Sequence, residues 1–320
     1  MAETPKTPKT QPAKPHTTSV NSNATSAKTG RTSSKAKKSP KFKLPTRQKV
    51  YYAIFVLAWT AFAITASQFI IIYPMVWILG ESFTEPFWTF IYYILYNALA
   101  LTLVILVPPK LAALYRRNHN AKGDLKPASQ ARLNRAKAEK AIEAPRAVVK
   151  PTAETDELFS TNPEELGVSS WPTFVDIGLA PIAYFAYAVL TNIIINIFTS
   201  FPWFNADQEQ NVGFNGYFIT TSDRIFAMLA IVFIAPIAEE LIMRGWLYGK
   251  LRNKFKIPLA IFLTSILFAV LHGQLNVGIS VFILSVTLCG LREITGTIWS
   301  GMLLHILSNG IAFYAIYIAL

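Results

Sequence analysis

Five apolar runs, near residues 51–79, 87–107, 174–198, 224–248 and 294–318, each exceed 20 residues. At about 1.5 Å of rise per residue, each is long enough to cross roughly 30 Å of hydrocarbon as a helix. Inside lipid the backbone must satisfy its own hydrogen bonds, and a helix does so within one segment. The chain is therefore expected to be an all-α, polytopic membrane helical bundle.

Charge supports that reading. The sequence is 52% hydrophobic, yet its pI is about 9.7 and its formal charge is +12. A soluble protein does not readily combine the two, whereas a membrane protein with basic loops does. Of the 30 Lys and Arg residues, 12 fall in 1–50 and 11 in 108–150, leaving 7 for the rest of the chain. Excess Lys and Arg marks the cytosolic side. The tail, the 110–170 linker and the cluster Lys250, Arg252, Lys254 and Lys256 are expected there, with the acidic 205–209 loop outside. The result is a multi-pass integral protein of the cell membrane. The single cysteine, Cys289, excludes an intrachain disulfide.

Four regions follow. Residues 1–46, rich in Lys, Thr, Ser, Pro and Ala, read as a disordered basic tail. Its expected partners are anionic lipid headgroups; no nucleic acid is expected. It is too long, and runs too directly into a full span, for a cleavable signal peptide. Residues 47–109 hold two transmembrane helices, with Pro74 bending the first and Pro108-Pro109 ending the second. Residues 110–170 form a polar cytosolic linker, basic and then acidic, in which 128–142 has helix-forming composition. Residues 171–320 hold the remaining helices. There, 258–271 and 277–291 are each only about 15 residues, or roughly 21 Å of helix. They bring the total to about seven apolar segments and can form a re-entrant hairpin near 258–291.

The polar residues inside these runs point to chemistry. An ionisable side chain in hydrocarbon marks a functional site by default. Glu239 lies 11 residues from Lys250, His272 lies 14 from Pro258, and His305 lies 12 from Glu293. These separations correspond to roughly 16, 21 and 18 Å of helix. The three residues thus sit at similar depth below one surface, as members of a single site would. That depth favours a substrate entering from the cytosol or laterally from lipid. Glu240 and Arg244, four apart, share a face and can neutralise each other. Glu239, rotated by about 100°, is left available. His305 and Asn309, also four apart, present side by side. Taken singly, each admits a packing role: a lone His caps a helix, an Asn joins helices, and a buried ion pair holds a fold.

Taken in order, Glu-Glu-x-x-x-Arg at 239–244, Phe-x-x-x-His at 268–272 and His-x-x-x-Asn at 305–309 form a specific set. With the flanking Pro236 and Gly245, it resembles the CPBP membrane proteins (CAAX proteases and bacteriocin-processing enzymes, the Abi family) over about 172–318. The resemblance implies a glutamate-type intramembrane protease without a metal or other cofactor. Glu239 would be the general base and His272 would hold and polarise the water. His305 and Asn309 would lie on the oxyanion side, with Glu240, Arg244 and Phe268 in support. The substrate would be a membrane-associated peptide, prenylated or leader-type. Two rivals stand beside it. One is a zinc-dependent hydrolase using His272, His305 and a carboxylate, although no His-Glu-x-x-His signature is present. The other is a non-catalytic peptide-binding, regulatory or bacteriocin-immunity protein.

Overall fold

A computed structural model describes residues 46–111, 113–114, 161–206, 208, 214 and 220–318. The basic tail before Thr46, the helix expected over 128–142 and most of the linker lie outside the described residues. The described residues all fall in one compact unit. Among the described residues every regular element is helical. Six of these described helices are long and apolar enough to cross a membrane.

These are α1 (Thr46–Leu79), α2 (Pro86–Leu111), α4 (Phe174–Phe198), α5 (Thr221–Lys254), α7 (Leu275–Thr295) and α8 (Trp299–Tyr317); two short helices, α3 (Pro163–Leu166) and α6 (Ile257–Leu271), complete the set. Their starts are encoded locally. Thr173/Asp176 and Thr220/Asp223 form reciprocal capping boxes at the N-termini of α4 and α5. Such boxes satisfy amide groups that the first turn leaves unpaired. Pro86 and Pro163 open α2 and α3, where a missing N–H costs nothing.

Small residues line the helix contacts. Ala53, Ala63, Ala100, Ala180, Ala227, Ala230, Ala238 and Ala260 are all buried. In lipid, small side chains let backbones approach closely and gain van der Waals contact. Three buried hydroxyls donate to carbonyls one turn back in their own helices: Thr60 to Val56 at 2.8 Å, Ser67 to Ala63 at 2.6 Å and Thr264 to Ala260 at 2.9 Å.

Helix α5 is the hub. Its residues Ile242, Met243, Trp246, Leu247 and Leu251 pack with Tyr52, Ala53 and Val56 of α1 and with Ala260 and Phe268 of α6. Nearer its start, Ala227, Ala230 and Val232 meet Phe313 of α8 and Phe90 of α2. Ala180 of α4 packs with Leu284 and Leu288 of α7 and Leu304 of α8. Two stretches of α5, Leu229–Ile234 and Glu240–Tyr248, adopt wider π-helical turns on either side of Pro236. Such widening re-aims side chains and is frequent at functional sites.

The segment pair 258–291 departs from the expected pair of short arms. Only α6 is short, at 15 residues; α7 has 21 and so covers about 31 Å. Arg292 and Glu293 do not end α7, because both charges find partners. Arg292 donates to the carbonyls of Gly245 and Glu165, while Glu293 accepts from the Tyr248 hydroxyl and from Arg252, each at 2.9 Å. Gly273, at φ +72°, makes the tight turn between the arms. At that tip the Asn276 amide donates to the carbonyls of Ala206 and Gln208, tying the turn to the loop after α4.

The last residues before α4 also pack onto the bundle. A Cβ on Gly245 would lie 3.3 Å from Leu166, and one on Gly249 would lie 3.0 Å from the Glu165 carbonyl oxygen. Two glycines one turn apart therefore admit α3 against α5. Lys250 pairs with Glu165 at 2.9 Å, and the Ile298 amide donates to the Gly167 carbonyl at 3.1 Å.

Candidate active site

The two adjacent glutamates of α5 have different environments. Glu240 and Arg244 are both fully buried, with Arg244 Nη1 2.9 Å from Glu240 Oε1. The same oxygen lies 3.0 Å from His305 Nδ1. A Cβ on Gly301 would fall 3.3 Å from Glu240 Oε2, so α8 can approach the carboxylate only because Gly301 lacks a side chain. Glu239 is about a third exposed and faces a cavity, with its Oε2 3.7 Å from His305 Nε2. The expected division between a clamped glutamate and an available one matches this geometry. The one-residue offset turns the two carboxylates to opposite sides of the imidazole, and His305 on α8 bridges them.

Phe268 of α6 touches Arg244 and both histidines. The Arg244 guanidinium stacks over its ring at 4.4 Å, a cation–π contact that gains strength away from water. Its ring meets His272 edge-on at 4.8 Å and His305 at 6.0 Å. His272 Nδ1 lies 2.8 Å from the Phe268 carbonyl. A carbonyl only accepts, so Nδ1 carries the hydrogen and Nε2 is the nitrogen left for other chemistry. His272, like Glu239, lines the cavity.

Asn309 lies one turn beyond His305. Its Nδ2 donates to the Ile231 carbonyl at 3.0 Å, inside the first π-helical stretch of α5. Widening the turn shifts the amide that would normally serve such a carbonyl, and Asn309 supplies a donor from α8. An amide has two N–H groups, and one of them is committed here. The structure thus gathers Glu239, Glu240, Arg244, Phe268, His272 and His305 around one centre. Asn309 is joined to it through α5, and neither His305 nor Asn309 lines the cavity.

The cavity, about 630 Å³, has a wall that sequence reasoning did not identify. The first two spans supply Thr65 and Gln68 from α1 and Tyr92, Tyr93, Tyr96 and Asn97 from α2. Gln68 and Tyr96 hydrogen-bond to each other across the two helices. Their signal in the sequence was polar and tyrosine side chains at helical spacing, a pattern shared with ordinary interfacial residues. A second missed residue is Asp176. It is buried and accepts from Ser300 at 2.6 Å, from Thr297 at 3.3 Å and from the Thr173 hydroxyl at 2.7 Å. It fastens the start of α4 to the start of α8, and so helps fix the helix that carries His305.

Among the described residues no three His, Cys, Asp or Glu side chains converge as a metal site would require. Both nitrogens of His305 face carboxylates rather than a shared point in the cavity.

Residues 221–311 match a family model described as type II CAAX prenyl endopeptidase Rce1-like. The three motifs at 239–244, 268–272 and 305–309 all fall inside that stretch, which is consistent with the resemblance to the CPBP proteins. No curated protein matches, and no solved structure matches.

Proposed function

We propose, for a multi-pass membrane protein whose residues 221–311 match the Rce1-like endopeptidases, an intramembrane endopeptidase in which Glu239 activates water without a metal. The observation that carries this reading is the arrangement of the cavity. Among the described residues Glu239 is the only carboxylate lining the cavity, His272 lines it too, and Glu240 is sequestered with Arg244.

Hydrolysis of a peptide bond needs a base for water, a donor for the developing oxyanion and a proton for the departing amine. Water held between Glu239 and His272 Nε2 gives its proton to Glu239 as its oxygen attacks the carbonyl carbon. The tetrahedral intermediate places negative charge on the former carbonyl oxygen. Asn309, the donor expected there, stands behind the cavity lining with one N–H on Ile231 and would meet that oxygen only by turning its second N–H into the cavity. Glu239 then returns the proton to the amine nitrogen as the C–N bond breaks. His305 acts as a positioning residue, since it links Glu239 to the clamped Glu240. Phe268 positions His272 through its carbonyl. The reading places the basic segments in the cytosol by the positive-inside rule. A membrane-associated peptide is the substrate class.

The test compares new peptide termini in membranes carrying wild-type protein or Glu239→Gln at matched expression. Termini present with wild type and absent with the variant are the expected result. Identical profiles would overturn the assignment.

A further inference from the structure

The depth of the site below the basic face favours entry from the cytosol or laterally from lipid, but the cavity lining runs toward the other face. Its lining extends from Glu239 and His272 along α1 through Thr65, Gln68 and Ile72 to Phe83 and Thr84. Phe83 and Thr84 lie in the turn Gly80–Thr84 that follows α1. This is the end of α1 opposite Thr46, where the basic tail joins.

Of the lining residues on α1 and the turn after it, Thr65, Gln68 and Thr84 are exposed, although Thr89 at the start of α2 is buried. Ile242, Met243 and Phe268, which line the cavity toward the basic end of α5, are all buried. Beyond them α5 is closed by Arg244, Gly245, Trp246, Leu247 and Tyr248, all of them buried. The cavity therefore has its floor toward the basic face and its mouth toward the α1–α2 turn. An exposed Gln at membrane depth is costly in hydrocarbon and is at home beside a water-filled opening.

The chemistry of the wall also selects. Apart from Glu239 and His272, the polar lining consists of hydroxyls and amides: Thr65, Gln68, Thr84, Thr89, the three tyrosines and Asn97. Among the described residues no Lys or Arg lines the cavity. Such a surface can hydrogen-bond an extended peptide backbone but offers no cation to an acidic side chain or a free carboxylate.

We infer that the cavity walled by α1 and α2 is entered from the membrane face carrying the Gly80–Thr84 turn, and that it accepts an uncharged, extended peptide segment. This deepens the reading of Glu239 as the hydrolytic centre and rests on it. The access route itself can be measured without turnover.

Single cysteines at Thr65, Gln68, Thr84 and Lys256 would be labelled in sealed membranes with an impermeant thiol reagent supplied to one face or the other. The parent chain, whose only thiol is the buried Cys289, is the blank. Thr84→Cys and Lys256→Cys mark the two faces. Thr65→Cys and Gln68→Cys are expected to react at least tenfold faster from the Thr84 face. Labelling that is equal from both faces, faster from the Lys256 face, or undetectable from either overturns the route. The variant at Thr65 leaves the Gln68–Tyr96 hydrogen bond intact, and so guards against a local folding defect. An acetylated, amidated apolar octapeptide should slow labelling of Thr65→Cys at least threefold, while the same peptide with alternating Asp should not. Equal effects, or no effect of either, overturn the substrate class. Repeating the labelling with Glu239→Gln separates the two ideas. Sidedness should persist in that variant, and turnover retained by it would sink the catalytic reading while leaving the route intact.

Discussion

Glu239 and Glu240 are adjacent in sequence, and replacing each in turn with Gln should separate activity from stability. Glu240 is fully buried, and one of its oxygens faces both Arg244 at 2.9 Å and His305 at 3.0 Å. Glu240→Gln keeps the shape but leaves the buried guanidinium without a counter-charge. Removing one partner of a buried pair typically costs about 3–5 kcal/mol. For a unit of this size, about 2–4 °C of Tm per kcal/mol implies a fall of roughly 6–20 °C. Glu239 is about a third exposed, and its nearest ionic contact, at 3.7 Å, is long. A partly solvated pair is worth about 1 kcal/mol or less, so Glu239→Gln should lower Tm by no more than roughly 4 °C. The buried Cys289 offers a direct assay, because a thiol-reactive fluorophore reports its exposure on heating the detergent-solubilised protein. Glu239→Gln should be folded and inactive, and Glu240→Gln clearly less stable. Equal losses of Tm would refute the division of roles, as would an unaffected Tm for Glu240→Gln.

Other substitutions test the supports of the site. Gly301→Ala places a Cβ 3.3 Å from Glu240 Oε2 and 3.4 Å from Leu288. Overpacking of this kind costs about 1–3 kcal/mol, and Tm and turnover should fall together. Gly290→Ala meets nothing within 4 Å and should raise stability by about 0.5–1 kcal/mol through helix propensity. Asp176→Ala removes an acceptor shared by Ser300, Thr297 and Thr173. Orphaned buried donors and a lost cap should cost about 2–3 kcal/mol, measurable as a drop in Tm. Asn309→Ala leaves the Ile231 carbonyl without its side-chain donor. It should lower kcat by about 10²–10³ while leaving measurable turnover; wild-type kcat would exclude Asn309 from the oxyanion side.

Much of the fold was legible because lipid restricts the options. A long apolar run has to be helical, and the spans near 174–198 and 224–248 lie close to α4 and α5. Counting residues along helices also placed Glu239, His272 and His305 at one depth; His272 and His305 meet the Phe268 ring, and Glu239 stands 3.7 Å from His305. The length of α7 was not legible. A charged Arg-Glu pair normally ends a span, but here Gly245, Glu165, Tyr248 and Arg252, distant in sequence, satisfy both charges.

The sequence by itself determined the helices, the ordered polar motifs and the availability of Glu239 beside the Glu240–Arg244 pair, since all of these follow from spacing along one helix or from hydropathy. Tertiary structure decided which helices wall the site. Gln68, Tyr93 and Tyr96 become a cavity wall only when α1 and α2 close against α5. Asp176 becomes an anchor only when α8 brings Ser300 within 2.6 Å. The cavity brings together residues as many as 208 positions apart, from Ile64 to His272, and no local pattern encodes the meeting of two distant helix faces.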